Sequence, residues 1–245
     1  MINRHDKNAL IIISPHFDDA ILSVGGFLAT QKRQITIITV CGGTPSDDSM
    51  LSNWDKLCGF SSGKQAAIER QLENINACSR LGIDSKNLLF TDFPYSEYKS
   101  SLLIADALSK YITSTDEVWT PMGIGDHPDH LITRDAVLEL ALKKKINLTL
   151  YADAPYAGSL GLKDLVCDKK WEMTTSPILN MISDKGFITT NPAITYLDKE
   201  SMCEKLMIIS CYQSQLNTIR IEYPRLTEID GNCSIEVIWQ CLLRQ

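Results

Sequence analysis

The chain has 245 residues, enough for one large α/β domain with a sizeable core. Its formal net charge of −6 argues against a general nucleic-acid binder, which carries a basic face. No apolar run reaches the roughly 18 residues needed to cross a bilayer, and the N-terminus lacks the pattern of a signal peptide, so a cytoplasmic protein with neither nucleic acid nor membrane as partner is expected.

Ala9 to Ser14 is a continuous apolar run, as in a strand buried on both faces. A helical pattern follows from Asp19 to about Lys32. Ile35 to Cys41 reads as a second strand. Ser62 to Leu81 places Ala67, Ile68, Leu72, Ile75, Cys78 and Leu81 near helical period, with Gly82 as its stop. Asn87 to Thr91, Glu117 to Pro121 and Leu148 to Ala152 read as strands three to five. Helices are expected from Ser101 to Thr113 and from Asp129 to Lys145. The stretch from Tyr156 to Pro192 reads as loops over the sheet edge. One helix from Asp198 to Asn217 and a strand or short helix from Ser234 to Leu243 close the chain. Strand alternating with helix predicts an α/β fold, a Rossmann-like parallel sheet flanked by helices on both faces, spanning residues 1–245 as a single domain. The eight cysteines form no C-x-x-C pair and are expected to be reduced, buried and small. Gly25-Gly26 and Gly42-Gly43 complete no nucleotide-binding motif; the first pair suits close packing of the first helix.

Two segments carry chemistry. Ser14-Pro15-His16-Phe17-Asp18-Asp19 follows the first strand and opens the first helix. Gly123-Ile124-Gly125-Asp126-His127-Pro128-Asp129-His130 follows the fourth strand and opens another, with Pro128 suited to a first helical turn. In the strand order 3-2-1-4-5, strands one and four are neighbours at the point where the order reverses, which is where ligands bind in such sheets. The two segments therefore meet, although 111 positions separate His16 from His127.

Either pair alone is often a helix cap. Together, at two strand ends, they point to a metal. His16, Asp19 and His130 supply two imidazoles and one carboxylate, the catalytic zinc pattern with an open fourth position. Iron(II) accepts the same set, though mostly in β-barrels. Asp18 stays outside the set as the candidate general base. His127 is the candidate acid or oxyanion stabiliser, with Asp129 expected to orient its ring and raise its pKa.

Pro15-His16-Phe17-Asp18-Asp19 with His127-Pro128-Asp129-His130 resembles the paired motifs of the LmbE/PIG-L family of zinc N-deacetylases. Arg70, Glu73, Ala77, Leu81 and Gly82 fit that family's R-x-x-E-x-x-x-A-x-x-x-L-G helix. Gly123-Ile124-Gly125, Asp153-Ala154-Pro155-Tyr156-Ala157 and Tyr212-Gln213-Ser214-Gln215 look like the branch whose first motif reads S-P-H-x-D-D-A. The resemblance implies a Rossmann-like fold, Zn2+ held by His16, Asp19 and His130, Asp18 as base and His127 as its electrophilic or acid partner. It also implies that Arg70 contacts sugar hydroxyls; the residues alone equally allow a helix-surface salt bridge from Arg70 to Glu69 or Glu73. Phe17 stands for the commoner Pro and Ala20 for a common Glu. Gly125-Asp126 stands where the family's thiol-cofactor deacetylases carry Tyr-Gly, which argues against mycothiol or bacillithiol substrates and against an oxyanion-stabilising tyrosine at that place.

The expected activity is removal of an N-acetyl group from an amino-sugar-containing small molecule, in secondary-metabolite or cofactor biosynthesis. The alternatives are a zinc amidohydrolase for a non-sugar N-acyl amine and a non-catalytic metal-binding protein of the same fold. A homo-oligomer is left open.

Overall fold

The computed structural model describes residues 9–47, 50–96, 99–159 and 170–244. Its sheet has eight strands: β1 Leu10–Ser14, β2 Ile35–Thr39, β3 Asp84–Asn87, β4 Glu117–Pro121, β5 Leu148–Tyr151, β6 Phe187–Thr189, β7 Ala193–Tyr196 and β8 Ile235–Leu243. The order is β3-β2-β1-β4-β5-β8-β6, with β7 also on β8. The first five strands run parallel, in the predicted order. The β8 strand runs antiparallel to β5 and carries β6 and β7 antiparallel to itself.

The helices are α1 Asp19–Thr30, α2 Asn53–Leu57, α3 Gly63–Leu81, α4 Ser101–Ser109, α5 Pro128–Lys144, α6 Ala154–Ser159, α7 Lys170–Asp184, α8 Lys199–Ile209 and α9 Gln213–Glu222. The unbroken apolar run of β1 follows from where its side chains go. Ile11 and Ile13 pack with Ile104 and Leu108 of α4 and Val137 and Leu140 of α5. Leu10 and Ile12 enter a second core with Ile21 of α1, Ala77 of α3 and Met202 of α8. Helices thus cover both faces, and the one polar residue of β1 is Ser14 at its carboxyl end.

Local signals set the boundaries near the site. Ser62 caps α3 by accepting from the Gln65 N–H at 3.1 Å, and Gly82 ends it in the left-handed region at φ +65. The α1 helix kinks at Val24 (φ −133, ψ 20). Just past the kink, the N–H groups of Gly26 and Phe27 donate to Glu236 of β8, each at 2.8 Å. Glu236 is also bound by the fully buried Lys205 at 2.7 Å. Gly25 and Gly26 do let this helix pack closely, against Lys205 and Leu197.

Four expectations change. The third strand is the polar Asp84–Asn87, pairing Thr36–Thr39, and the apolar Leu88-Leu89-Phe90 follows it; Leu89 is 86% exposed. The stretch from 156 to 192 contains α7 and β6 rather than loops alone, and its residues 160–169 lie outside the described ones. The single helix over 198–217 is two. The break falls at Ser210–Tyr212, where the buried Tyr212 hydroxyl shares its proton between the Phe17 carbonyl and Asn74 Oδ1, each at 3.1 Å. The short α2 was not expected. Seven cysteines are free thiols, of which Cys41, Cys78, Cys233 and Cys241 are buried; Cys167 lies outside the described residues.

Candidate active site

The β1–α1 and β4–α5 junctions sit side by side because β1 and β4 are adjacent. Ser14 shapes the first junction: its hydroxyl donates to the His16 carbonyl at 2.6 Å and accepts from the Ala20 N–H at 3.1 Å. His127 caps α5, with Nδ1 accepting from the Asp129 N–H at 3.3 Å, and Pro128 takes the first helical turn. The rings of His16, His127 and His130 then lie with centroids 5.0 to 5.4 Å apart.

One oxygen organises the cluster. Asp19 Oδ2 lies 3.0 Å from His16 Nδ1 and 3.1 Å from His130 Nε2, and accepts from the His16 backbone N–H at 2.8 Å. Each histidine is held through its other nitrogen by a further carboxylate. His16 Nε2 is 3.0 Å from Asp129 Oδ2, and His130 Nδ1 is 2.5 Å from Asp153 Oδ1. Asp153 is in turn fixed by the N–H groups of Gly123 and Ile124, at 2.8 and 2.9 Å. Carboxylate–histidine pairs of this kind set the tautomer of metal-ligating imidazoles.

Burial and charge shape the ionisation. Burial opposes the charged form of both His16 and His130, yet Asp19 and the flanking carboxylates outweigh it; His16 is raised well above the usual imidazole range and His130 to about 9. Burial alone would raise Asp19, but the two histidines hold it well below the usual carboxylate range. Burial and then the charge of Asp19 push Asp18 up to about 6. The Asp18 side chain makes no capping bond, although it stands at the N-cap of α1, and it lines the cavity.

His127 and Asp129 correct the expected pairing. The Asp129 carboxylate faces His16, the Phe93 N–H at 2.8 Å and the Lys99 ammonium, not the His127 ring. Burial and the neighbouring charges of His16 and His130 lower His127 to about 3, outweighing Asp129, which does raise it as expected. With Nδ1 accepting, His127 is a neutral imidazole whose proton sits on Nε2.

Arg70 corrects the expected surface salt bridge. It is buried, bound to Asp55 of α2 and placed over the Phe60 ring at 5.4 Å. Glu73 instead accepts from the N–H and hydroxyl of Ser214, at 2.6 and 2.7 Å. Tyr95 donates its hydroxyl to Asp55 and accepts from the Ser52 N–H at 3.0 Å.

A cavity of about 570 Å³ joins these groups, lined among others by His16, Asp18, His127, Arg70, Asp92 and Tyr223. Its size is that of a small-molecule site. A tyrosine does reach the histidines, from α6 rather than from the loop before the second motif. The Tyr156 ring lies 5.0 Å from His130 and stacks on His127 at 5.7 Å. Gly125 makes room for it: at φ +90, a Cβ there would come within 2.4 Å of Tyr156 Cβ.

Reading by motif missed Asp153, Lys99, Asp55 and Tyr95 as parts of the site. Asp153 had a usable signal, since it stands just past the carboxyl end of β5, next to β4.

Residues 11–141 match the PIG-L family, described as GlcNAc-PI de-N-acetylase. A curated relative, the probable N-acetyl-alpha-D-glucosaminyl L-malate deacetylase 2 of Bacillus subtilis (strain 168), is 26% identical over 151 residues, 57% of this chain and 63% of that protein. The crystal structure of the A40926 pseudoaglycone deacetylase Dbv21 is 26% identical, with a TM-score of 0.72 over 98% of this chain and 99% of that one. A triple mutant of a deacetylase from the teicoplanin biosynthetic pathway has a TM-score of 0.75 at 23% identity, over 97% of this chain and 99% of that one, and shares the fold.

Proposed function

The chain belongs to the PIG-L family, and on that premise we propose that it is a zinc-dependent hydrolase that removes the N-acetyl group from an amino-sugar-containing small molecule. One observation carries the reading. A nitrogen of His16 and one of His130 converge on Asp19 Oδ2 at 3.0 and 3.1 Å, while the other nitrogen of each ring is held by Asp129 or Asp153.

The donor set fits zinc. His130 Nε2 is fully buried and makes no hydrogen bond among the described residues, despite its nearness to Asp19. Two imidazoles and a carboxylate are the open three-ligand pattern of catalytic zinc. Zinc bound there supplies Lewis acidity, lowering the pKa of a water to about 7 and polarising a carbonyl.

The remaining groups divide the work of amide hydrolysis. Asp18 lines the cavity beside the trio but is not one of the three; it takes a proton from the attacking water and hands it to the leaving nitrogen. Acetate and a free amine result. His127 offers its Nε2–H to the negative charge that develops on the carbonyl oxygen. Asp129 positions His16 and does not touch the reacting atoms. Arg70 lines the same cavity, its buried Nε without a hydrogen-bond partner among the described residues, and serves the sugar hydroxyls.

Among the described residues no helix is long and apolar enough to cross a membrane. The direct test is acetate release from N-acetylglucosaminyl compounds by the zinc-loaded protein, beside acylated peptides and polyamines as non-sugar controls. Release from the sugars alone is expected. Release from the non-sugar amines alone, or from neither group, overturns the reading.

A further inference from the structure

We propose that Lys99 is a positioning residue for the metal ligand His16, acting through Asp129. The inference rests on the zinc-site reading above.

Asp129 is buried, its side chain 2% exposed, and so is Lys99 at 5%. Three groups share the carboxylate. Lys99 Nζ binds Oδ1, while the Phe93 N–H and His16 Nε2 both bind Oδ2. A buried carboxylate beside a histidine holds the ring only if its own orientation is fixed and its charge is compensated. Phe93 and Lys99 do both from outside the two motifs. With Oδ1 held by Lys99, Oδ2 faces His16 Nε2, and a proton kept there when metal binds would leave Nδ1, 3.0 Å from Asp19, as the ligating nitrogen.

The same stretch of chain reaches across the cavity. Tyr95, two residues after Phe93, binds Asp55, which holds Arg70. Two contacts thus fix the metal end and one fixes the arginine end. This arrangement separates a positioning role from general support of the fold. Losing the Lys99 contact should loosen His16 and leave Arg70 in place. Losing the Tyr95 hydroxyl should do the opposite.

The test is zinc affinity, measured by competition with a chromogenic chelator, on purified Lys99→Met, Lys99→Arg and Tyr95→Phe proteins. Partners that orient a metal ligand are worth roughly 10- to 100-fold in affinity. Lys99→Met should lose affinity in that range, Lys99→Arg should recover most of it, and Tyr95→Phe should stay within about threefold of wild type. If Lys99→Met does not fold, Lys99→Gln is measured in its place. Unchanged zinc affinity in the Met or Gln variant overturns the proposal. So does equal loss in Lys99→Met and Tyr95→Phe, which would mark a general loosening of the loop. The chelator readout needs no substrate. Loss of zinc binding without acetate release from wild type would therefore count against the deacetylase reading and leave the Lys99 assignment standing.

Discussion

His130 is held from outside its own helix: Asp153, at the end of the neighbouring strand, lies 2.5 Å from Nδ1 and leaves Nε2 facing Asp19. Asp153 is fully buried and bound by two backbone N–H groups, so its orientation is set before any metal arrives. Asp153→Asn should lower zinc affinity roughly 10- to 100-fold, the usual effect of removing a partner of a ligating histidine. A chelator titration checks this. Affinity equal to wild type would mean that His130 needs no such support or is not a ligand.

Asp18 separates chemistry from metal binding. Its carboxylate belongs to neither the trio nor the helix cap. Asp18→Asn should keep a full complement of zinc and lose roughly 100- to 10,000-fold in turnover, the range for a lost general base. Metal analysis and an acetate assay on the same sample decide the matter. Loss of zinc would instead make Asp18 a ligand.

For His127 the structure favours a neutral donor. The Asp129 N–H occupies Nδ1, and the charges beside it disfavour an imidazolium. Removing one donor to a developing oxyanion costs about 100- to 1,000-fold in kcat. His127→Ala should show that loss with KM little changed and zinc retained. His127→Gln, which keeps a neutral N–H donor, should recover part of it. A glutamine variant no better than alanine would point to proton transfer instead.

The order of the first five strands followed the common doubly wound pattern, and the two junctions were legible because their signals are local. An apolar run marks β1, and each motif lies between a strand and the helix that follows it. The spacing of His16 to Asp19 and of His127 to His130 then carries the candidate ligand trio. What stayed hidden depends on partners distant in sequence. Lys99 acts on Asp129, and Asp55 on Arg70, across loops with no period to read. The role expected of Asp129 went wrong for the same reason. Two residues from His127, it was read as that ring's partner; its N–H does bond the ring and its charge does raise the ring's pKa, but α5 turns the carboxylate toward His16. Tyr212, where one expected helix became two, likewise has its hydroxyl partner, Phe17, 195 positions away.

Stability away from the site should depend on the buried pair Lys205–Glu236, which also satisfies the N–H groups freed at the α1 kink. Glu236→Ala leaves a fully buried ammonium without its anion, a loss of about 3–5 kcal/mol. The melting temperature should fall by on the order of 10 °C, read by scanning calorimetry. A fall of a degree or two would mean that Lys205 finds another partner.

The described residues offer two overlapping ligand groups that share His16: one with Asp19 and His130, the other with His127 and Asp129. Anomalous scattering at the zinc edge, from crystals of the zinc-loaded protein, separates them directly. The account predicts one strong peak at bonding distance, roughly 2.0–2.2 Å, from His16, Asp19 and His130, with His127 unbound. A peak held by His127 and Asp129, or by four protein side chains, would contradict it.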